Sequence, residues 1–518
     1  MDDFRIKKHT DAERDEYLVD CFHDAGFIQQ LIGSSFSIIA GRKGSGKTAI
    51  ARYLEQKHED YNIDYAFRMS LRNIAINCKD DKSDRANSIL QYILIRTIQK
   101  LLETDNFSGE SEKYWKDFLA SNGLHQISDY ETFIEHQRTN KTGLSVKALM
   151  SYLFAKAEGG VDSESGSILN RSVISKSPSA LFDALRQSLS KDKSIFIFID
   201  DIGDHLENIN TSMIKEDIAV IKEVLLQIDT YNTAISDSKL NFRFVSLLRV
   251  DLFDLMEGSN VNKLREGSLE LEWDEKSFAG LLIRRLPFYN SNLQGSLDNP
   301  IEAIKSQFPD EIFTETLASF NTNRFKTNFY AYMVAISFNR PRDFLKFCYA
   351  MRERLSLKHV ATFENIESSE IEYSDYFKNE LRDELFLATQ IIGHDLNQEG
   401  LDILIDVLDK KSGFNSAELR TRLGQYLGEK TSIGKKKIEI FIQELYRYGV
   451  VGLQRKEDKT INFKYTSKVP LILEKIKDYL FFLHRGLWWF AQKRNARTIR
   501  GLKPYKEELE ESLEIIEK

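Results

Sequence analysis

The chain contains few cysteines and no long apolar run, and both shortages narrow the classes of protein to which it can belong. Its three cysteines, Cys21, Cys78 and Cys348, lie far apart and lack the spacing of metal ligands, so we expect neither a zinc site nor a disulfide framework. No apolar stretch approaches the roughly 20 residues that a membrane-spanning helix needs, and no secretory signal is evident. The sequence therefore predicts a cytoplasmic protein without a membrane partner.

The length of the chain is too great for a single hydrophobic core. With 518 residues, of which 42% are hydrophobic and 29% charged, it has the composition of a globular protein with about two to four domains. The net charge of −7 conceals an asymmetry, because residues 400–505 contain 22 lysines and arginines against 11 acidic residues. A basic region of this kind favours an anionic partner such as DNA.

The strongest motif is a glycine-rich segment near the start of the chain, which matches the pattern G-x-x-x-x-G-K-[ST]. Apolar residues 36–40 predict a strand before it, and the spacing of residues 48–54 predicts a helix after it. Glycines allow the tight turn in which backbone N–H groups face a β-phosphate, Lys47 is expected to reach the β- and γ-phosphate oxygens, and Thr48 is expected to bind Mg²⁺. The predicted phosphate-binding residues are Gly41, Arg42, Lys43, Gly44, Ser45, Gly46, Lys47 and Thr48. The alternative is a glycine-rich turn that binds nothing.

An acidic pair follows a second apolar run, Ile195–Ile199. Such a run predicts a strand buried on both faces of a parallel sheet, with Asp200 at its carboxyl end, where ligands of open α/β sheets bind. Asp200 is expected to hold Mg²⁺ through water, and Asp201 to polarise the attacking water. The alternative is an ordinary strand that ends in a solvated acidic turn.

A third apolar run, Phe242–Leu248, ends at Arg249. If its strand lies beside the acidic one, Arg249 can stabilise the charge that develops on a transferred phosphoryl group. The alternative is an arginine on the protein surface.

Together with Asn339-Arg340-Pro341-Arg342-Asp343, these segments resemble an AAA+ type ATPase. The resemblance covers roughly residues 10–70 and 190–350. It is greatest to the initiator-like and STAND-like branches, in particular to a group of bacterial P-loop ATPases found among defence and mobile-element genes. It implies an arginine of the lid domain on the γ-phosphate, which Arg342 matches, with Arg340 as its neighbour.

Two positions depart from the pattern of that family. Asp201 stands where related ATPases more often carry glutamate, and Arg249 stands where they carry asparagine, serine or threonine. These departures bear on the expected rate of hydrolysis, so that slow turnover is as plausible as fast turnover. They do not bear on nucleotide binding.

The predicted fold is an α/β P-loop NTPase with an AAA+/ASCE-type parallel sheet, a helical insertion, a helical lid and a C-terminal winged helix-turn-helix. The insertion is inferred because 153 residues separate Lys47 from Asp200, which is more than a compact core requires. The predicted domains are an ATPase core at 1–270 with its insertion at about 103–180, a lid at 271–395, a winged helix-turn-helix at 396–470 and C-terminal helices at 471–518.

Three helical patterns followed by strand-like runs predict the winged helix-turn-helix. Its strands are expected at Val450–Lys456 and Thr460–Tyr465. The basic residues expected to contact DNA are Lys435, Lys436, Lys437, Arg455 and Lys456. The alternative is a module used for domain packing or partner contact. The aromatic segment Phe481–Phe490 is expected to pack onto this module as a last helix, rather than to stack on bases or touch a membrane surface.

These observations predict an oligomeric switch or motor that binds ATP and Mg²⁺ and hydrolyses ATP. The resemblance implies self-association, a separate effector protein and a role in bacterial defence against phage or foreign DNA. One alternative is a DNA-binding initiator in replication or partition, and another is a nucleotide-binding scaffold without turnover. ATP is favoured over GTP because no Asn-Lys-x-Asp element, which reads guanine, is evident.

Overall fold

The structure of the protein is a computed structural model. It describes residues 10–72, 82–104, 106–107, 111–125, 127–139, 177–203, 211–285, 333–334, 336–338, 340–354, 363–391, 398–408, 413–427, 432–455 and 479–487. By their internal contacts these residues form two compact units. The sheet unit comprises the described residues within 26–41 and 47–271, and the helical unit comprises those within 1–25, 42–46 and 272–518.

The sheet unit is built on a five-stranded sheet in which every strand pair is parallel. The strands are β1 (Ile38–Gly41), β2 (Tyr65–Ser70), β3 (Ser194–Ile202), β4 (Asn241–Arg249) and β5 (Ser268–Glu270), in the spatial order β2-β3-β4-β1-β5. The apolar run in β3 is buried along its length, as expected for a strand covered on both faces. The predicted α/β class with a parallel sheet is therefore confirmed.

Helices surround this sheet. They are α1 (Phe27–Gly33), α2 (Lys47–Lys57), α3 (Lys82–Leu101), α4 (Ser111–Ser121), α5 (Tyr130–Thr139), α6 (Pro178–Ser188), α7 (Thr211–Asp237), α8 (Val250–Leu255) and α9 (Ser259–Glu266). A buried ion pair between Arg85 and Asp217 joins α3 to α7. Within the predicted insertion, α4 is anchored by Trp115, whose Nε1 donates a hydrogen bond of 2.8 Å to Ser188 Oγ on α6. Residues 140–176 of that insertion lie outside the described residues.

The helical unit has a continuous apolar core that extends from Phe278 to Leu487. Its elements are α10 (Glu275–Arg285), α11 (Pro341–Arg354), α12 (Phe363–Ile391), α13 (Gln398–Leu408), α14 (Ser416–Leu427), α15 (Ser432–Arg447), β6 (Val451–Arg455) and β7 (Tyr479–Leu483). Of the helices that the structure describes, none combines the length and the apolar character that crossing a membrane requires.

The sequence prediction of a last helix at Phe481–Phe490 is wrong where the structure describes that segment. Residues 479–483 form β7, which pairs antiparallel with β6, and Phe481 also exchanges two backbone hydrogen bonds of 2.8 Å with Phe414. A short run of consecutive aromatic residues has no periodicity that separates strand from helix, so tertiary pairing decides its conformation. The strand expected at Thr460–Tyr465 lies outside the described residues.

Glu444 on α15 gives the helical unit a measurable pH dependence. Burial raises the pKa of Glu444 to about 7, and its Oε2 atom has no hydrogen-bond partner in the described part of the chain. Since the carboxyl is harder to ionise in the folded state, the contribution of Glu444 to stability is most favourable below about pH 4.5 and falls as the pH rises from 4.5 to about 7. Replacing Glu444 by Gln removes this cost, and we expect a gain of about 1–3 kcal/mol in the free energy of unfolding at pH 8.

Urea unfolding at pH 5 and pH 8 measures this gain. The control is Glu439→Gln on the same helix, where the half-exposed carboxylate pairs with Arg420 across 3.3 Å and should change stability little at either pH. An equal effect of Glu444→Gln at the two pH values would contradict the assignment.

Candidate functional site

Strands β1, β4 and β3 end together at one edge of the sheet. Gly41, the last residue of β1, pairs with Arg249, the last residue of β4. Ile202, the last residue of β3, pairs with Leu248. Adjacent strands lie about 4.8 Å apart, so β1 and β3, with β4 between them, are separated by about 10 Å. The carboxyl ends of β1 and β4, and the acidic pair near the end of β3, therefore share one edge.

The acidic pair lies in an irregular part of β3. The pairing register shifts between Ile199 and Ile202, and Asp201 has φ of 59°, a left-handed conformation that is uncommon outside glycine. Asp200 is buried and accepts hydrogen bonds from Asp201 N at 2.8 Å and from Arg68 Nη1 at 3.0 Å. The contact of Arg68 with Asp200 was not predicted from the sequence. A charged residue between the apolar residues of strand β2 could have indicated it.

Asp201 is held by β2 and the residues that follow it. Ser70 donates its hydroxyl to Asp201 Oδ2 at 2.5 Å, and Arg72 Nη2 lies 3.6 Å from Oδ1. Burial, and then the negative charge of Asp200, raise the pKa of Asp201, while Ser70 and the arginines oppose this rise. A carboxylate with a raised pKa binds a proton more readily, which is the property that a general base needs.

Arg249 is buried, so the sequence-based alternative of a surface arginine is wrong. Its Nε and Nη2 atoms donate to the two carboxylate oxygens of Asp251, at 3.1 and 2.6 Å. This two-point contact fixes the guanidinium at the carboxyl end of β4, beside the strand that carries the acidic pair.

The glycine loop, Gly41–Thr48, joins β1 to α2 as the sequence predicted for a strand, loop and helix. Gly44 and Gly46 have φ of 82° and 102°, which only glycine adopts without strain. Lys47 opens α2, and its Nζ donates to Gly41 O at 2.8 Å. Thr48 is the second residue of that helix and is partly exposed.

Within the helical unit, three consecutive carbonyl oxygens of the loop accept hydrogen bonds. Lys43 O accepts from Arg340 Nη1 at 3.2 Å, and Gly44 O accepts from Arg342 N at 3.3 Å. Ser45 O accepts from Trp273 Nε1 at 2.8 Å. The loop main chain is therefore fixed by its carbonyl groups.

Arg342 opens α11 beside the loop, but its guanidinium is paired with carboxylates. Nη1 lies 3.3 Å from Glu380 Oε2, and Nη2 lies 3.1 Å from Asp11 Oδ1. Arg340 is fully buried and forms ion pairs with Asp343, at 2.5 Å, and with Glu384. The expected contact of Arg342 with a γ-phosphate remains a prediction.

The basic residues expected to contact DNA lie on two elements of the helical unit. Lys435 and Lys436 are exposed in the first two turns of α15, where Lys437 is half-buried. Arg455 is the last residue of β6, and Lys456 lies outside the described residues. DNA contact by these residues also remains a prediction.

No model of a protein family and no curated protein matches this chain.

Gly44 provides a direct test of the loop conformation. A Cβ atom at this position would lie 3.0 Å from Arg342 Cβ, in a backbone conformation that alanine rarely adopts. We expect Gly44→Ala to lower the free energy of unfolding by about 1–3 kcal/mol. The control is Gly33→Ala at the end of α1, where no atom lies within 4 Å and φ is not positive, so little change is expected. Thermal unfolding of both variants makes the comparison, and equal midpoints would show that the loop does not need this conformation.

Proposed function

We propose that the chain binds a magnesium-bound nucleoside triphosphate, with ATP as the expected nucleotide, at the glycine loop and hydrolyses it. One observation carries the proposal. The glycine loop follows β1 and the acidic pair ends β3, and a single strand separates β1 from β3 in a parallel sheet. Two parallel strands about 10 Å apart, one of which leads into a glycine loop while the other ends in an acidic pair, match the needs of a triphosphate with its metal.

The loop residues fit a polyphosphate. Gly44 and Gly46 adopt the left-handed conformations that a tight loop around an anion requires, and α2 begins at Lys47 with its positive dipole end toward the loop. The buried hydroxyl of Ser45 has no hydrogen-bond partner among the residues that the structure describes. An unsatisfied buried donor in a glycine loop supports a ligand that accepts hydrogen bonds.

Residues of the sheet unit supply the chemistry in this proposal. The Nζ of Lys47 would donate to phosphate oxygens in place of Gly41 O. Thr48 and Asp200 would hold Mg²⁺ directly or through water. The metal, when bound, supplies positive charge to the phosphate oxygens. Asp201 would accept a proton from the attacking water, for which its raised pKa is suited.

Two arginines are candidates for stabilising charge in the transition state. Arg249 is bound to Asp251, and Arg342 to Glu380 and Asp11. Each would have to exchange a carboxylate for a phosphate oxygen in order to act, and such an exchange of partners is a usual element of a nucleotide-driven switch.

The biological role in this proposal is that of an oligomeric switch or motor which works with an effector protein in bacterial defence. It rests on the resemblance to AAA+ ATPases. A DNA-binding initiator is the second candidate, and the exposed Lys435 and Lys436 on α15 support it. Loss of salt-dependent DNA affinity after substitution of these lysines would favour the second candidate.

Nucleotide binding is tested by calorimetry with MgATP. We expect heat of binding for the wild type and none for Lys47→Ala, because the lysine supplies the charge that meets the β- and γ-phosphates. The matched control is Lys57→Ala at the exposed end of the same helix, which should bind as the wild type does. Binding that is unchanged by Lys47→Ala would contradict the proposed site.

Hydrolysis is tested by the release of phosphate. We expect Asp201→Ala to slow release by about a hundredfold or more, since the general base is lost, while MgATP still binds. Asp237→Ala, at the exposed end of α7, is the control. Binding of MgATP with no release of phosphate, unaltered by Asp201→Ala, would favour the scaffold alternative.

A further inference from the structure

Glu384 on α12 joins two arginines at the glycine loop. Its side chain is 3% exposed, and its two oxygens form separate ion pairs, one with Arg42 and one with Arg340. Arg42 belongs to the loop, and Arg340 donates a hydrogen bond of 3.2 Å to Lys43 O. One carboxylate therefore holds both a side chain and, through Arg340, the main chain of the loop.

Arg42 also contacts the end of α15. Its Nη2 donates to Tyr448 O at 3.2 Å, and its guanidinium carbon lies 4.8 Å from the Phe338 ring and 5.9 Å from the Tyr448 ring. Tyr448 directly follows Arg447, the last residue of α15, and carbonyl groups at the end of a helix commonly accept hydrogen bonds from groups outside it. A loop side chain thus caps α15 at its carboxyl end, where a positive charge is favourable.

A role in packing alone explains this cluster poorly. Burial of two guanidinium groups and a carboxylate is costly, and apolar residues of similar volume often replace such clusters without loss of stability. The cluster connects a glycine loop, which needs external contacts to hold one conformation, with the end of a helix. If a ligand bound to the loop altered the helix, the loop and the end of the helix would have to move together.

We propose that Glu384 is a positioning residue that couples the glycine loop to the carboxyl end of α15. Through this coupling, a bound nucleotide makes the backbone of residues 448–453 more ordered. The ligand in this inference rests on the proposed function. A helix of 16 residues is about 24 Å long, so a shift at Tyr448 is carried along α15 as a rigid element to the exposed Lys435 and Lys436 in its first two turns. By reciprocity, a ligand at these two lysines changes the affinity of the loop for nucleotide.

Hydrogen exchange on the full chain tests the coupling. The probe is Mg²⁺ with a nonhydrolysable ATP analogue. In the wild type we expect exchange to slow at residues 42–48 and also at 448–453. In Glu384→Gln the shape of the side chain is kept but its charge is lost. Slowing at 448–453 should then disappear while slowing at 42–48 persists, and nucleotide affinity should fall by about tenfold.

The matched control is Asp15→Asn. Asp15 is a buried carboxylate of the same unit that pairs with Arg285 and does not contact the loop residues described here. Asp15→Asn should keep the wild-type response at 448–453 even if it lowers the unfolding temperature. If Glu384→Gln does not fold, Arg42→Lys is the second variant. Lysine keeps the positive charge but lacks the guanidinium group with which Arg42 contacts both Glu384 and Tyr448 O.

Two results would overturn the coupling. One is an unchanged response at 448–453 in Glu384→Gln, and the other is a wild type that binds the analogue without any response there. A wild type that gives no heat with MgATP refutes the proposed function instead. In that case hydrogen exchange measured without nucleotide tests the coupling. Glu384→Gln should exchange faster than Asp15→Asn at both 42–48 and 448–453, and equal rates would overturn the coupling as well.

Discussion

The parallel pairing of β1, β3 and β4 is the constraint on which the candidate site depends. Parallel strands bring their carboxyl ends to one edge, so the end of β1 and the acids near the end of β3 share that edge although Asp200 lies 153 positions after Lys47 in the chain. A parallel sheet also requires covered faces, which the surrounding helices supply. The positions of Lys47, Asp200 and Arg249 are therefore consequences of strand order and register.

The glycine loop has a second set of constraints in the helical unit. Its carbonyl groups at Lys43, Gly44 and Ser45 are hydrogen-bonded, and the charge of Arg42 is neutralised by Glu384. Glycines give the loop its turn, but they also leave it with high conformational freedom. The contacts with Arg340, Arg342 and Trp273 restrict that freedom, which is how a site can be formed before its ligand arrives.

Local patterns in the sequence predicted much of this arrangement. The apolar runs before Gly41, Asp200 and Arg249 predicted three strands that the structure contains, because a strand buried on both faces must be apolar throughout. Glycine spacing predicted the loop and the start of α2. The three helical patterns of the predicted winged helix-turn-helix likewise correspond to α13, α14 and α15.

Long-range partners could not be predicted in the same way. Arg68 contacts Asp200 from a strand 132 residues away, and Arg42 contacts Glu384 from 342 residues away. Such pairs depend on register and on tertiary packing, which a local pattern does not contain. The strand β7 was mistaken for a helix for the same reason, since its pairing with β6 and with Phe414 decides its conformation.

The central claim is that a metal-bound triphosphate occupies the carboxyl edge of the sheet. A crystal structure with Mn²⁺ in place of Mg²⁺ and a nonhydrolysable ATP analogue tests it most directly, because the anomalous signal of manganese locates the metal independently of the protein. The account predicts a single strong peak between the Thr48 hydroxyl and Asp200, with phosphates on the amides of the glycine loop. A peak elsewhere, or nucleotide bound away from the loop, would contradict it.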